Sequence, residues 1–117
     1  MEKTNLSDKT VENLVGYILT PSLKLIELDL SNNLIGDAGA RALFLAMARN
    51  TSILTLNLEG NSIKTDGCKA IREYLSANVT LIELSLAGNK INNDGIKNLS
   101  AFLTENETLT YLDISRN

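Results

Sequence analysis

The chain has 117 residues, of which 44% are hydrophobic, 21% charged and 4% aromatic, and its formal net charge is −3. This length suits one domain, and the composition excludes a chain that is disordered throughout. The mildly acidic balance, with no cluster of Lys or Arg, argues against nucleic acid as a partner, because its binders need a basic stripe to release counterions.

The first predicted element is a helix over residues 8–20. Asp8 is a suitable cap, Leu14, Val15, Ile18 and Leu19 share a face at helical spacing, and Pro21 stops it. Next, residues 25–35 read L-x-x-L-x-L-x-x-N-x-I. The alternation of Leu28 and Leu30 predicts a strand over 26–30 with one face inward. Asn33 then turns the chain, since its amide both donates and accepts for backbone groups left unpaired there. A helix follows over 37–49, capped by Asp37 and apolar along Ala42, Leu43, Ala46 and Met47. Asn50 closes it, because Asn tolerates the left-handed cap conformation.

The same unit returns every 28 residues without insertion. Leu25, Ile53, Leu81 and Leu109 mark one register, and Leu28, Leu56, Leu84 and Leu112 a second. Leu30, Leu58, Leu86 and Ile114 mark a third, and Asn33, Asn61, Asn89 and Asn117 a fourth. Ile35, Ile63 and Ile91 keep the spacing, as do Gly39, Gly67 and Gly95. Further strands are therefore expected over 54–58, 82–86 and 110–114. Further helices are expected over 65–77 and 93–105, with Thr65 and Asn93 as caps and Asn78 and Asn106 at the ends. Their apolar faces are Ala70, Ile71, Tyr74 and Leu75, then Asn98, Leu99, Phe102 and Leu103.

Strands repeated with a helix between them must stack in parallel. The expected class is α/β: a right-handed αβ solenoid with four parallel strands on its concave face and four helices on its convex face. Asn33, Asn61, Asn89 and Asn117 should form a ladder through it. Residues 1–117 are read as one domain: a partial unit 1–24, repeats 25–52, 53–80 and 81–108, and a partial unit 109–117. A solenoid needs capped ends, and the last unit breaks off after its strand, so a piece of a longer array is expected. The alternative is self-association through strand 110–114 as an open edge exposing Leu109, Leu112 and Ile114.

These motifs closely resemble the ribonuclease-inhibitor-like class of leucine-rich repeats. Leu34-Ile35-Gly36-Asp37-Ala38-Gly39 and Lys64-Thr65-Asp66-Gly67-Cys68 look like that class's loop into its helix, and the resemblance covers residues 8–117. It implies a horseshoe fragment that binds another protein through its concave sheet, as part of a scaffold, inhibitor or receptor. The class also includes Ran GTPase-activating proteins and actin-capping tropomodulins, so GTPase activation or cytoskeletal capping are the alternatives it implies. Fold alone does not choose among them.

With Leu inward, the intervening positions face outward on the concave side. One row is Glu27, Thr55, Glu83 and Tyr111, the next is Asp29, Asn57, Ser85 and Asp113, and a third is Ser31, Glu59, Ala87 and Ser115. This patch holds Glu27, Asp29, Glu59, Glu83 and Asp113 but no Lys or Arg. It either receives a basic partner segment, with the carboxylates steering encounter, or is a solvated sheet face whose charges discourage aggregation. Tyr111 is its one aromatic, a residue type favoured at binding hot spots. Ile26, Leu54 and Ile82, followed by Thr110, form an aliphatic stripe at the rim. The stripe is expected to pack beneath the preceding loop or helix end, the alternative being a contact strip.

Little chemistry remains. With no His and one cysteine, Cys68, the chain lacks the means for a disulfide within itself, a zinc site or a His-activated nucleophile. Cys68 aligns with Ala40 and Ile96, so it should be an inert buried thiol. The glycines follow the repeat and form no phosphate-binding loop. N-x-[ST] triplets begin at Asn5, Asn50, Asn78, Asn98 and Asn106, three of them copies of one repeat position. Residues 1–10 lack the apolar core of a signal peptide, and no stretch has the apolar length of a membrane span. The expectation is a cytoplasmic or nuclear protein with no catalytic residue, metal, cofactor or membrane contact.

Overall fold

The computed structural model describes residues 5–18 and 24–117. Among them, helices alternate with three-residue strands: α1 (Asp8–Ile18), β1 (Glu27–Asp29), α2 (Asp37–Met47), β2 (Thr55–Asn57), α3 (Thr65–Leu75), β3 (Glu83–Ser85), α4 (Asn93–Glu105) and β4 (Tyr111–Asp113). The strands form one parallel sheet in sequence order. Leu28 pairs with Leu56, Leu56 with Leu84, and Leu84 with Leu112, so the 28-residue period is the sheet register itself. The result is the expected α/β solenoid. Residues 19–23, including Leu19 and Pro21, fall outside the described part, and with them the expected end of the first helix.

The core lies between sheet and helices and is mostly aliphatic, with Phe44 and Phe102 its largest fully buried side chains. Leu28, Leu56 and Leu84, together with Leu30, Leu58 and Leu86, are buried from the strand side. Leu43, Met47, Ile71, Leu75 and Leu99 meet them from the helices, and Leu109, Leu112 and Ile114 pack half-buried against the same cluster rather than standing fully exposed. Phe44 is fully buried although Arg72 and Ser100, in the same register, are exposed. On α2 residues 40, 43, 44 and 47 lie on one helical arc, so Phe44 faces inward while Leu45 beside it is 55% exposed.

Two rows of asparagines tie the repeats together. In the turn after each strand, the Asn61 amide donates to Leu30 O, Leu58 O and Glu59 O, while its Oδ1 accepts from Ile35 N. Asn89 repeats this with Leu58 O, Leu86 O, Ala87 O and Ile63 N. Asn117 does so with Leu86 O, Ile114 O, Ser115 O and Ile91 N, and Asn33 accepts from Leu6 N. The second row occupies the helix-to-strand loops. Asn78 donates to Met47 O and accepts from Thr80 N and Leu81 N, and Asn106 donates to Leu75 O and Asn78 O.

This second row corrects the expectation that Asn50, Asn78 and Asn106 sit in the left-handed conformation. Apart from Asn5, the positive φ angles among the described residues fall instead at Asn32, Gly60, Gly88 and Arg116, all one register, where the chain leaves the strand. The helix caps shift as well. The residues flanking α2, α3 and α4 are Gly36, Lys64 and Asn92, one position before those expected. Asp37 caps the following helix instead of its own: its Oδ1 accepts from Lys64 N at 2.7 Å and Gly67 N at 2.9 Å. Asp8 does likewise for Gly36 N. A Cβ on Gly67 would lie within 3 Å of both the Ile63 Cγ2 methyl and Asp37 Oδ1, the methyl being the nearer, which explains the glycine there without any unusual φ.

Replacing Asn89 with Ala strands several buried backbone groups at once. The expected loss is about 2–4 kcal/mol of unfolding free energy, since each buried unsatisfied group costs about 1–3 kcal/mol. Asn117→Ala, at an exposed position, should cost well under half as much. Urea unfolding midpoints of the two variants check this, and equal small losses would contradict it.

Candidate protein-binding face

The sheet presents its outward rows as the registers dictate. Glu27, Thr55, Glu83 and Tyr111 are mutual neighbours across β1 to β4, and so are Asp29, Asn57, Ser85 and Asp113. Neighbouring strands lie about 4.8 Å apart, so each row is a compact line. Glu27, Glu83 and Tyr111 are exposed, and Thr55 is half-buried. A shallow depression of about 160 Å³ lies among Thr55, Asn57, Glu83, Ser85 and Tyr111.

The second row has a structural duty that sequence reading missed. Asp29 Oδ1 accepts from Ser31 N at 2.9 Å, Asn57 Oδ1 from Glu59 N at 2.9 Å, Ser85 Oγ from Ala87 N at 3.5 Å, and Asp113 Oδ1 from Ser115 N at 2.9 Å. Each side chain thus closes the turn two residues on, the local bonding that Asp, Asn and Ser share. The signal was legible as one register occupied only by those three residue types. Hydrogen bonds from the Ser31 hydroxyl and backbone hold the Asp29 carboxyl below its usual range, and those from the Ser115 backbone and hydroxyl do the same for Asp113. Both therefore stay charged to a lower pH than an ordinary aspartate.

The third row departs from expectation. Ser31 and Ala87 are buried, because the turn carries them under the rim, leaving Glu59 half-buried and Ser115 exposed. Arg116, at a positive φ beyond β4, reaches back to form an ion pair with Glu59. The patch thus has one cation at its edge, although none was evident from its own registers, and Glu59 is compensated.

The aliphatic stripe is exposed instead of packed beneath a loop. Ile26, Leu54 and Ile82 are 50%, 38% and 36% exposed. The cause lies in the backbone. Ile26 O accepts from both Leu54 N and Thr55 N, Leu54 O from both Ile82 N and Glu83 N, and Ile82 O from both Thr110 N and Tyr111 N. One acceptor facing two successive donors is a bulge-like irregularity, and it breaks the inward–outward alternation. Two consecutive residues then face out in each repeat, so an aliphatic row runs beside the Glu27 row.

The helical face is different in kind. Arg41 pairs with Glu73 at 3.5 Å and donates to the Tyr74 hydroxyl at 2.8 Å, Lys69 lies 3.7 Å from Asp66, and Arg72 pairs with Glu105 at 3.0 Å. Arg41, Asp66, Lys69 and Glu73 line a recess of about 480 Å³ between α2 and α3. Arg41 with Glu73 and Lys69 with Asp66 pair across its lining, and exposed pairs of this sort contribute little. Among the described residues, Glu27, Asp29, Glu83 and Asp113 have no ion pair within 4.0 Å. Cys68 is fully buried, and its burial, then the Asp37 charge, push the thiol up to about 12. No group of three His, Cys, Asp or Glu among the described residues is arranged to hold a metal ion, and no described helix is long and apolar enough to cross a membrane.

Residues 22–44, 49–71, 77–100 and 105–117 match a family model described as a leucine-rich repeat. No curated protein matches the sequence significantly. Among solved structures, the chain is similar to leiomodin-1 actin-binding site 2, with a TM-score of 0.84 and 23% identity, over 97% of this chain and 66% of that one. In all, 52 solved chains match, so the architecture by itself singles out no partner.

Asp29→Asn keeps the turn, since Asn57 makes it natively, but removes the titration. A carboxyl whose folded pKa lies below its unfolded value of about 3.9 stabilises the fold above pH 4 and loses that contribution as pH falls through the folded value. Asp29→Asn should therefore lose less stability than the parent chain between about pH 4 and pH 2, measured as urea midpoints; an unchanged slope contradicts this. Cys68 should resist iodoacetamide in the folded protein at pH 8 and alkylate promptly in urea, as mass spectrometry would report.

Proposed function

The chain belongs to the leucine-rich repeat family, a protein-interaction architecture, and from that premise we propose that it binds a partner protein carrying a basic segment through the concave face of its sheet. One observation carries the reading. The helices carry cations and anions together, with Arg41 paired to Glu73, Lys69 to Asp66 and Arg72 to Glu105, whereas the first two outward rows of the sheet carry Glu27, Asp29, Glu83 and Asp113, with no Lys or Arg among them and no ion pair within 4.0 Å among the described residues. Such a surface steers a cationic partner and sets its register. Tyr111, 54% exposed at the end of the Glu27 row, supplies an amphipathic anchor.

The 28-residue αβ unit supports placing the chain in the ribonuclease-inhibitor-like class of the family. A free buried thiol fits a reducing compartment, cytoplasmic or nuclear. The role is one of binding and not of catalysis: the matched family model describes a repeat unit, and the concave carboxylates lie open to water.

Actin is the first specific partner to assay, because the structural neighbour is an actin-binding site. That likeness concerns fold, so cosedimentation with filaments and a monomer-binding assay decide it directly. For a partner recovered from the source cell and purified, Glu27→Lys with Glu83→Lys should weaken binding about tenfold or more, an estimate resting on close charge pairs coupling by 1.5 kcal/mol upward. The same variant should flatten the dependence of Kd on salt. An affinity within about twofold of the parent at both low and high salt, against that tenfold expectation, would place the contact elsewhere.

A further inference from the structure

We infer that the concave rim reads an amphipathic α-helix, laid across the strands with its apolar stripe on Ile26, Leu54 and Ile82 and Lys or Arg side chains beside Glu27 and Glu83. The inference rests on the concave-face reading above and specifies the shape of the partner.

The surface is two parallel rows. Leu54 N donates to Ile26 O, Ile82 N to Leu54 O and Thr110 N to Ile82 O, at 2.8–2.9 Å, so the aliphatic row advances one strand per repeat. The glutamate row is one residue over and advances in step. Exposed aliphatic groups elsewhere, such as Leu34, Leu45 and Val79, form no such line.

Spacing selects the occupant. The rows repeat at the strand separation, about 4.8 Å. An α-helix presents one face every turn, about 5.4 Å, so it drifts by roughly 0.6 Å per repeat and by about 1.2 Å over three. An extended chain presents one face every second residue, about 6.6 Å, and drifts by about 3.6 Å over the same span. Nor does a strand find backbone partners along this line, because the Ile26, Leu54 and Ile82 carbonyls and the Leu54, Ile82 and Thr110 N–H groups are already bonded between repeats. Helix-in-groove binding needs neither free backbone groups nor an edge. Charge then fixes the partner's chemistry: two exposed glutamates flank the aliphatic line, and the row bears no cation. A helix with Leu-like residues at i, i+3 or i+4 and i+7, and Lys or Arg along one flank, satisfies both rows.

Two variants separate the contributions. Thr110 already occupies the aliphatic register, so Ile26→Thr, Leu54→Thr and Ile82→Thr together keep the backbone while removing the apolar row. Glu27→Gln with Glu83→Gln removes the charge. The probe is a 15-residue designed peptide with Leu at helical spacing and Lys on one flank, compared with a scramble of identical composition and with a strictly alternating Leu-Lys peptide. Binding is read by fluorescence anisotropy and helix formation by circular dichroism. The helical peptide should bind at least tenfold more tightly than either control, gain helicity on binding, and lose at least tenfold with the triple Thr variant.

Equal binding of the scramble, preference for the alternating peptide, or no binding by any of them would overturn the inference. Loss with the Glu→Gln pair but not with the Thr triple would overturn the helical ledge and leave the acidic concave face standing. Binding insensitive to both variants would overturn the two readings together.

Discussion

The side-chain amide of an asparagine in the turn after each strand, buried at Asn33, Asn61 and Asn89, is the contact on which the solenoid depends. Asn61 donates to carbonyls of its own repeat and to Leu30 O of the preceding one, and accepts from Ile35 N. A turn that leaves a sheet must bury N–H and C=O groups with no ladder partner, and burying them unpaired is costly. Asn has both a donor and an acceptor on one short planar group, so a single side chain serves both needs. Because it bridges to the previous repeat, it also fixes the step from one repeat to the next. The Leu rows, the parallel register and the outward rows all follow from that step.

The second asparagine row closes the other corner of each unit, where helix gives way to strand. Its members bond backwards to carbonyls at the end of the preceding helix, as Asn78 does with Met47 O. Capping of helix starts is shared between repeats in the same manner: Asp37 receives the N–H groups of Lys64 and Gly67, and Thr65 donates to Asn92, which itself accepts from Gly95 N. Each unit is therefore completed by its neighbour. That is the physical basis of cooperativity in repeat proteins, where stability arises at interfaces between units as much as within them.

Much of this was legible in the sequence because the repeats comment on one another. A register holding Leu four times, or Asn four times, reveals a constraint that no single copy would. What escaped was whatever breaks the period or depends on backbone detail. Phe44 has polar counterparts at Arg72 and Ser100, so the repeat logic hid its burial. Arg116 lies in the register of Asn32, Gly60 and Gly88, which marks a left-handed turn and says nothing of an ion pair with Glu59. The doubled hydrogen bonds at Ile26, Leu54 and Ile82 carbonyls left no trace in residue types, yet they turned a stripe expected beneath a loop into an exposed one.

The contrast between registers also separates scaffold from surface. Leu28, Leu56, Leu84 and Leu112 are identical because the core admits little else. The Asp29 row varies only within Asp, Asn and Ser, because all three close the same turn. The Glu27 row runs Glu, Thr, Glu, Tyr, a spread in size and charge that shows the fold asks nothing specific there. The aliphatic row is the instructive case. Thr110 shows that a polar residue makes the same backbone bond, so the fold does not require Ile26, Leu54 or Ile82 to be apolar. Contiguous exposed apolar side chains favour association, and here they stand beside carboxylates that repel a second acidic surface. That row is one the scaffold leaves free and that is nonetheless apolar in three of four repeats, and on this the proposed docking of a partner rests.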